Sequence, residues 1–168
     1  NGICEKLISR HPHIYGDLVV ENEEEVKQNW EKLKLKEGKK SVLEGVPKSL
    51  PALVKASRIQ DKAKGVGFDW EEPHQVWDKV QEELSELQAE VADRNQQSIE
   101  AEFGDVLFSM INYARFLNVN PEDALERTNK KFIKRFQYLE SKAAEIGKPL
   151  SEMTLAEMDV FWNEAKKL

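Results

Sequence analysis

The sequence predicts an all-α protein. Three observations lead there. Apolar residues recur at helical spacing in one segment after another, no segment sustains the alternation of a strand, and eight Gly and six Pro in 168 residues are too few to punctuate many tight turns. Length and composition, with 40% hydrophobic and 33% charged residues, suit a water-soluble chain with one ordinary domain and a real core. The formal net charge of -6 is a poor match for non-specific nucleic-acid binding, so no nucleic-acid partner is expected. A single cysteine, Cys4, excludes an internal disulfide framework and fits a reducing compartment, which makes the cytoplasm the expected location. No apolar run approaches a membrane span, and no membrane partner is expected.

In chain order, Ile3, Leu7 and Ile8 read as the tail of a helix already under way. With no initiator Met, the chain is expected to be a piece of something longer. Residues 11–17, with Pro12 and Gly16, read as a loop. Val26, Trp30 and Leu33 predict a helix over residues 22–36, and residues 37–49, with Gly38, Gly45 and Pro47, read as a linker. A compact domain then starts near Ser49. Pro51 suits a first helical turn, followed by Leu53, Val54, Ala56 and Ile59; residues 65–70 form a loop. Pro73 opens a helix to about Asp93 with the stripe Val76, Val80, Leu84, Leu87 and Val91. The next helix, residues 98–117, is apolar nearly all round and is expected to be buried on more than one face. Asn120 and Pro121 cap and open a helix to about Ile146, and Gly147 and Pro149 stop it. Thr154 and Glu157 form a capping box for a last helix bearing Met158, Phe161 and Trp162.

The acids carry the chemistry. On a wheel of the helix opened by Pro73, Glu83 lies about 60° from the apolar stripe and Glu86 about 120°, whereas Glu82 points almost away from the core. Lys79 and Glu90 share the flank of Glu83 and Glu86. In the following helix Glu102, Asp105, Ser109 and Asn112 form one polar strip on an apolar rod. A buried carboxylate is costly unless a cation or donor meets it. If the two helices pack antiparallel, the pairs Glu83/Glu86 and Glu102/Asp105 can face each other as an oxygen-only cage, which suits Mg²⁺ or Mn²⁺ rather than zinc. The alternative is a solvated acidic face. A di-iron carboxylate bundle would want Glu-x-x-His pairs, and this region offers only His74, at a helix start.

Positive charge is available too. Lys131 and Arg135 lie four apart on one helix face, after Asn129; they read either as phosphate contacts or as a surface charge run. Trp162 and Lys166, also four apart, could hold a base or sugar beside a phosphate, though Trp162 could equally be a core aromatic. Lys79 could simply pair with Glu83. Cys4 reads as inert, and His11 and His13 lack further ligands nearby. Neither a Walker-type loop nor a supportable Ser-His-Asp arrangement is present.

Several stretches resemble a known family: Glu82-Glu83-x-x-Glu86 with Glu102-x-x-Asp105, set among residues 49–53, Val66-Gly67-Phe68-Asp69-Trp70, residues 102–108 and Asn129-Lys130-Lys131-Phe132. Together they resemble the MazG-type nucleoside triphosphate pyrophosphohydrolases of the all-α NTP pyrophosphatase superfamily. The resemblance implies a helical bundle with its metal site between two antiparallel helices. It implies residues 1–17 as the tail of a preceding MazG-like domain, 18–48 as helix and linker, and 49–168 as a second, catalytic domain. Implied activity is Mg²⁺-dependent hydrolysis of NTPs or dNTPs to the monophosphate and pyrophosphate by a metal-activated water, in a homodimer. Glu83, Glu86, Glu102 and Asp105 would bind metal. Glu82, Lys131 and Arg135 would act in catalysis, Glu82 by orienting water or a second metal, and either it or one of the ligand carboxylates by taking the proton. Lys79, Asn129, Lys131, Arg135, Trp162 and Lys166 would bind substrate. The rival classes are a non-catalytic helical interaction module and a nucleotide sensor that binds without turnover.

Overall fold

The computed structural model describes residues 2–17, 26 and 41–167, and among them it contains helices and turns but no strand. Helix α1, Gly2–Arg10, is followed by α2, Pro12–Tyr15, where the sequence predicts a loop. Pro12 takes the first helical turn, and the Tyr15 and Gly16 N–H groups donate to the His11 and Pro12 carbonyls at 3.0 and 2.9 Å. Proline needs no donor there, so a residue read as a breaker opens a turn instead. The helix expected over 22–36 lies outside the described residues apart from Val26, which is helical. Of the linker, residues 41–49 are described. They hold a 3₁₀ turn, Val42–Gly45, capped by the Ser41 hydroxyl, which accepts from the Leu43 N–H at 3.1 Å.

The chain divides into two compact units, residues 1–119 and 120–168. In the first, α3 (Ala52–Lys64), α4 (Pro73–Asp93) and α5 (Gln96–Phe116) position the acids. Glu72 and Gln75 cap α4 reciprocally, the Gln75 Oε1 accepting from the Glu72 N–H at 2.9 Å. Only Arg94 and Asn95 separate α4 from α5. Arg94 takes a left-handed conformation (φ 58), and the Asn95 side chain accepts from the Ser98 N–H at 3.4 Å to start α5. So short a connection folds α5 back antiparallel along α4, and this pair packs most extensively. Val76, Val80 and Ile111 are buried at its heart.

Two expectations about burial need correction. The α4 stripe is buried only in its first half: Val76 and Val80 are covered, while Leu84 is 40% and Val91 54% exposed. Helix α5, expected to be buried on several faces, exposes Phe103, Leu107, Phe108 and Met110. Periodicity reports that a face is apolar and not what covers it.

In the second unit, α6 (Pro121–Glu145) is capped by the Asn120 side chain, which accepts from the Glu122 N–H at 3.1 Å, and Gly147 at φ 68 turns the chain out of it. A 3₁₀ turn, Leu150–Glu152, leads to α7, Leu155–Ala165. Among the described residues of this unit, Leu139, Ala143, Met153 and Ala165 are buried. The predicted capping box is present. The Thr154 hydroxyl accepts from the Glu157 N–H at 3.3 Å, and Glu157 Oε2 accepts from the Thr154 N–H at 2.7 Å. Lys148 Nζ adds an ion pair to Glu157 Oε1 at 2.7 Å. Lys148 foremost, then the Thr154 N–H and hydroxyl, lower the Glu157 pKa from 4.5 to about 2. A depressed carboxylate pKa contributes stability above its unfolded value, and that stability is lost as pH falls through the folded one. Glu157→Gln should therefore loosen α7 above about pH 4.5, with the deficit closing toward pH 2. Hydrogen exchange of the α7 amides against pH measures this, and a pH-independent deficit would refute it.

Candidate active site

Three carboxylates meet where α4 and α5 run side by side. Glu83, Glu86 and Glu102 each bring one oxygen within 4.8 Å of the others. Glu83 is buried at 7% exposure, Glu102 is half-buried and Glu86 is exposed. Spacing i, i+3 on α4 sets Glu83 and Glu86 on one edge, and the antiparallel return of α5 brings Glu102 opposite. Desolvation first, then the charges of Glu86, Asp105 and Glu83, push the Glu102 carboxyl above its ordinary pKa. Asp105 is exposed and outside the three-oxygen group, although its charge acts on Glu102. The apolar character of α5 predicts that its acids are the buried ones. Among the described residues the most deeply buried acid, Glu83, is on α4, while α5 turns much of its surface to solvent.

Lys79 binds the outer edge of the cluster. Its Nζ lies 2.8 Å from Glu83 Oε1 and 3.0 Å from Glu82 Oε1. These two carboxylates, Glu83 foremost, raise the Lys79 pKa and keep the ammonium charged. Glu82 is thus paired with Lys79 rather than with the other acids, in keeping with its place on the wheel.

A cavity of about 590 Å³ opens beside the cluster, with Lys79, Glu83 and Asp105 in its wall. Ile59, Phe68, Trp70, Val76 and Phe108 make most of it apolar. The loop between α3 and α4 is tied to its rim. Arg115 grips Asp69 with two nitrogens, one bond being Nη1 to Oδ2 at 2.8 Å, and also donates to Asn112 Oδ1. Burial raises the Asp69 pKa, but Arg115 and the Trp70 N–H outweigh it and hold the carboxyl below its usual value. This pairing, and Gln60 in the same wall, escaped the sequence reading. The available signal for Gln60 was a polar residue on the Ala56, Gln60, Ala63 stripe of α3.

In the second unit Arg135 is half-buried, with its guanidinium 5.9 Å from the Trp162 ring centre. Phe132 packs on the same indole at 5.0 Å. Trp162 is therefore an aromatic with one face in a small cluster and a cation beside it. Lys131 and Asn129 are exposed on α6, and Lys166 donates to Asn163 Oδ1 at 2.9 Å rather than reaching Trp162.

A helical hairpin that gathers acids beside an apolar cavity defines a class: an all-α domain with a cluster of oxygen donors at the edge of a cavity. The MazG nucleotide pyrophosphohydrolase domain matches residues 71–139, which span α4, α5 and most of α6. The chain is 42% identical over 165 residues to the nucleoside triphosphate pyrophosphohydrolase/pyrophosphatase MazG of Thermotoga maritima, covering 96% of this chain and 62% of that protein. It is 39% identical over 177 residues to the nucleoside triphosphate pyrophosphohydrolase of Escherichia coli K12, covering 99% of this chain and 67% of that one. It is 48% identical over 170 residues to the uncharacterized protein YabN of Bacillus subtilis, covering 99% of this chain but 35% of YabN. The chain belongs to the MazG family.

Proposed function

We propose that the protein hydrolyses nucleoside triphosphates, ribo or deoxy, to the monophosphate and pyrophosphate, with Mg²⁺, or Mn²⁺ in its place, held by Glu83, Glu86, Glu102 and Asp105. The observation that carries this is the meeting of three carboxylates from two helices beside a cavity large enough for an organic ligand. The donor set fits a hard divalent cation. It is all oxygen, and desolvation, followed by the charges of Glu86, Asp105 and Glu83, holds the Glu102 carboxyl above its ordinary pKa, a cost that a bound cation would offset. When bound, such a cation neutralises phosphate charge and lowers the pKa of a coordinated water.

The chain's own groups do the rest. Glu83 is held in one orientation by Lys79, which limits the reorganisation needed on binding. A carboxylate of the cluster accepts the proton released as water attacks the phosphate chain, and pyrophosphate departs with the electrons of the broken P–O bond. Glu82 acts through Lys79 as a positioning residue, because its carboxylate is committed there. The resemblance to the family supports phosphate binding by Lys131 and Arg135, and nucleotide binding by Asn129, Trp162 and Lys166. It also supports a homodimer, for which the exposed apolar residues of α5 offer a surface to cover. The single cysteine supports a reducing, cytoplasmic setting, and no helix among the described residues is long and apolar enough to cross a membrane.

Product analysis across an NTP and dNTP panel, with and without Mg²⁺, tests the reading. Monophosphate and pyrophosphate in equal amounts, formed only with the metal, are expected. Diphosphate plus orthophosphate would refute the bond assignment, and absence of turnover would refute the activity.

A further inference from the structure

Residues 65–72 link α3 to α4, border the cavity and are pinned along their length. At the start, the Gly67 and Phe68 N–H groups donate to the Lys64 and Ala63 carbonyls at 2.9 and 3.0 Å, and Gly67 makes the turn at φ 87. At the end, Glu72 and Gln75 form the reciprocal cap of α4. Between them Asp69 accepts from two nitrogens of Arg115 on α5, and its Oδ1 also accepts from the Trp70 N–H at 3.0 Å. The side chains of Arg115 and Asp69 are 18% and 19% exposed, so water screens the pair only in part. Each guanidinium nitrogen is engaged, because Nε and Nη2 also donate to Asn112 Oδ1 at 3.2 and 2.7 Å. One cation thus ties the loop to α5 and orients an amide in the cavity wall. Yet the rings on either side of Asp69 are left uncovered. Phe68 is 82% and Trp70 45% exposed, although both line the cavity. Ring burial normally repays the ordering of a loop, and here the loop is held while its rings wait for a ligand to cover them.

We infer that Asp69 and Arg115 are a pair of positioning residues for substrate binding: they latch the loop so that Phe68 and Trp70 already stand at the cavity when the nucleotide arrives. The inference rests on the nucleotide reading above and adds to it how the cavity side of the site is held. A loop fixed beforehand need not be ordered by the ligand, which strengthens binding without a new contact. The gain applies equally to the bound substrate and to its transition state, so it lowers KM and leaves kcat unchanged. The acids on α4 and α5 keep their own bonds when the latch opens: Lys79 holds Glu83 at 2.8 Å whether or not Asp69 is charged.

Asp69→Asn keeps the shape and removes the charge that Arg115 grips. It should raise KM for NTPs about tenfold, leave kcat within about twofold and weaken binding of the best-bound nucleoside monophosphate, titrated calorimetrically, by about the same tenfold. The rise in melting temperature caused by Mg²⁺ should stay as in wild type, since the acid cluster is untouched. Asp69→Glu restores the charge and should lie nearer to wild type than Asp69→Asn does. Arg115→Lys, which loses the two-pronged grip, should weaken binding as Asp69→Asn does and serves if that variant fails to fold. A fall in kcat as large as the rise in KM, a smaller Mg²⁺ gain, unchanged monophosphate binding, or unfolding of both variants would overturn the latch. So would a wild-type protein that binds no nucleoside monophosphate. NTP turnover with unaltered KM in the variants would sink the latch and leave the activity standing; monophosphate binding lost in the variants, with no turnover in any protein, would do the reverse.

Discussion

Glu83→Gln is expected to lower metal-dependent pyrophosphate release by about a thousandfold, with little change in fold. The variant keeps the shape and one acceptor oxygen but loses the charge at the most buried position of the cluster. Removing a charged ligand that supplies several kcal/mol of stabilisation in the transition state corresponds to about three powers of ten in rate. Lys79, now facing a neutral amide, still has Glu82 at 3.0 Å, so its charge is not abandoned. Asp105→Asn should fall in the same direction. Glu82→Gln, which changes only a partner of Lys79, should cost no more than about tenfold. Steady-state assays with a circular-dichroism melt as a folding control give the comparison. Wild-type rates for Glu83→Gln would sink the assignment of the site, and a Glu82→Gln effect as large as that of Glu83→Gln would put Glu82 in direct contact with the reaction.

Glu102→Gln should have opposite effects with and without divalent cation. In the metal-free protein Glu102 is pressed by desolvation and by the charges of Glu86, Asp105 and Glu83, so removing its charge relieves repulsion and raises the melting temperature. With Mg²⁺ present the order reverses. A ligand at a hundred times its Kd stabilises the native state by about 2.7 kcal/mol, or about 5–10 °C for a chain of this size. Wild type should show a gain of that order, and Glu102→Gln should lose most of it. Two melts of each protein, in EDTA and in millimolar Mg²⁺, are sufficient. If the variant gains as much from Mg²⁺ as wild type does, Glu102 is not a ligand; if wild type gains nothing, the acids are a solvated face.

Much of the helical plan could be read directly. Asn120 before Pro121, the Thr154/Glu157 box and Gly147 act through bonds within a few residues, so their local sequence is sufficient to place them. The misreadings concern what lies across from a side chain. The wheel ranked Leu84 as core and set Glu83 to one side, but Leu84 is 40% exposed and Glu83 only 7%. A wheel averages the apolar direction over a whole helix, whereas burial depends on where its neighbour crosses. An apolar rod is buried only if something covers it, and Asp105 lies exposed.

By itself the sequence determined the all-α class, the caps of α6 and α7, the stop of α6, and the placing of paired acids on successive helices. All of these depend on helical periodicity and on hydrogen bonds between near neighbours. Only the tertiary structure decided that Glu83, Glu86 and Glu102 converge while Asp105 stands just outside, and that Asp69 is gripped by Arg115 from 46 residues away. It alone placed Gln60 against the Phe108 carbonyl, 48 residues along the chain, to which its amide nitrogen donates at 2.8 Å. These outcomes depend on the packing of one helix against another, and a side chain's periodic position does not specify its partner on a distant segment.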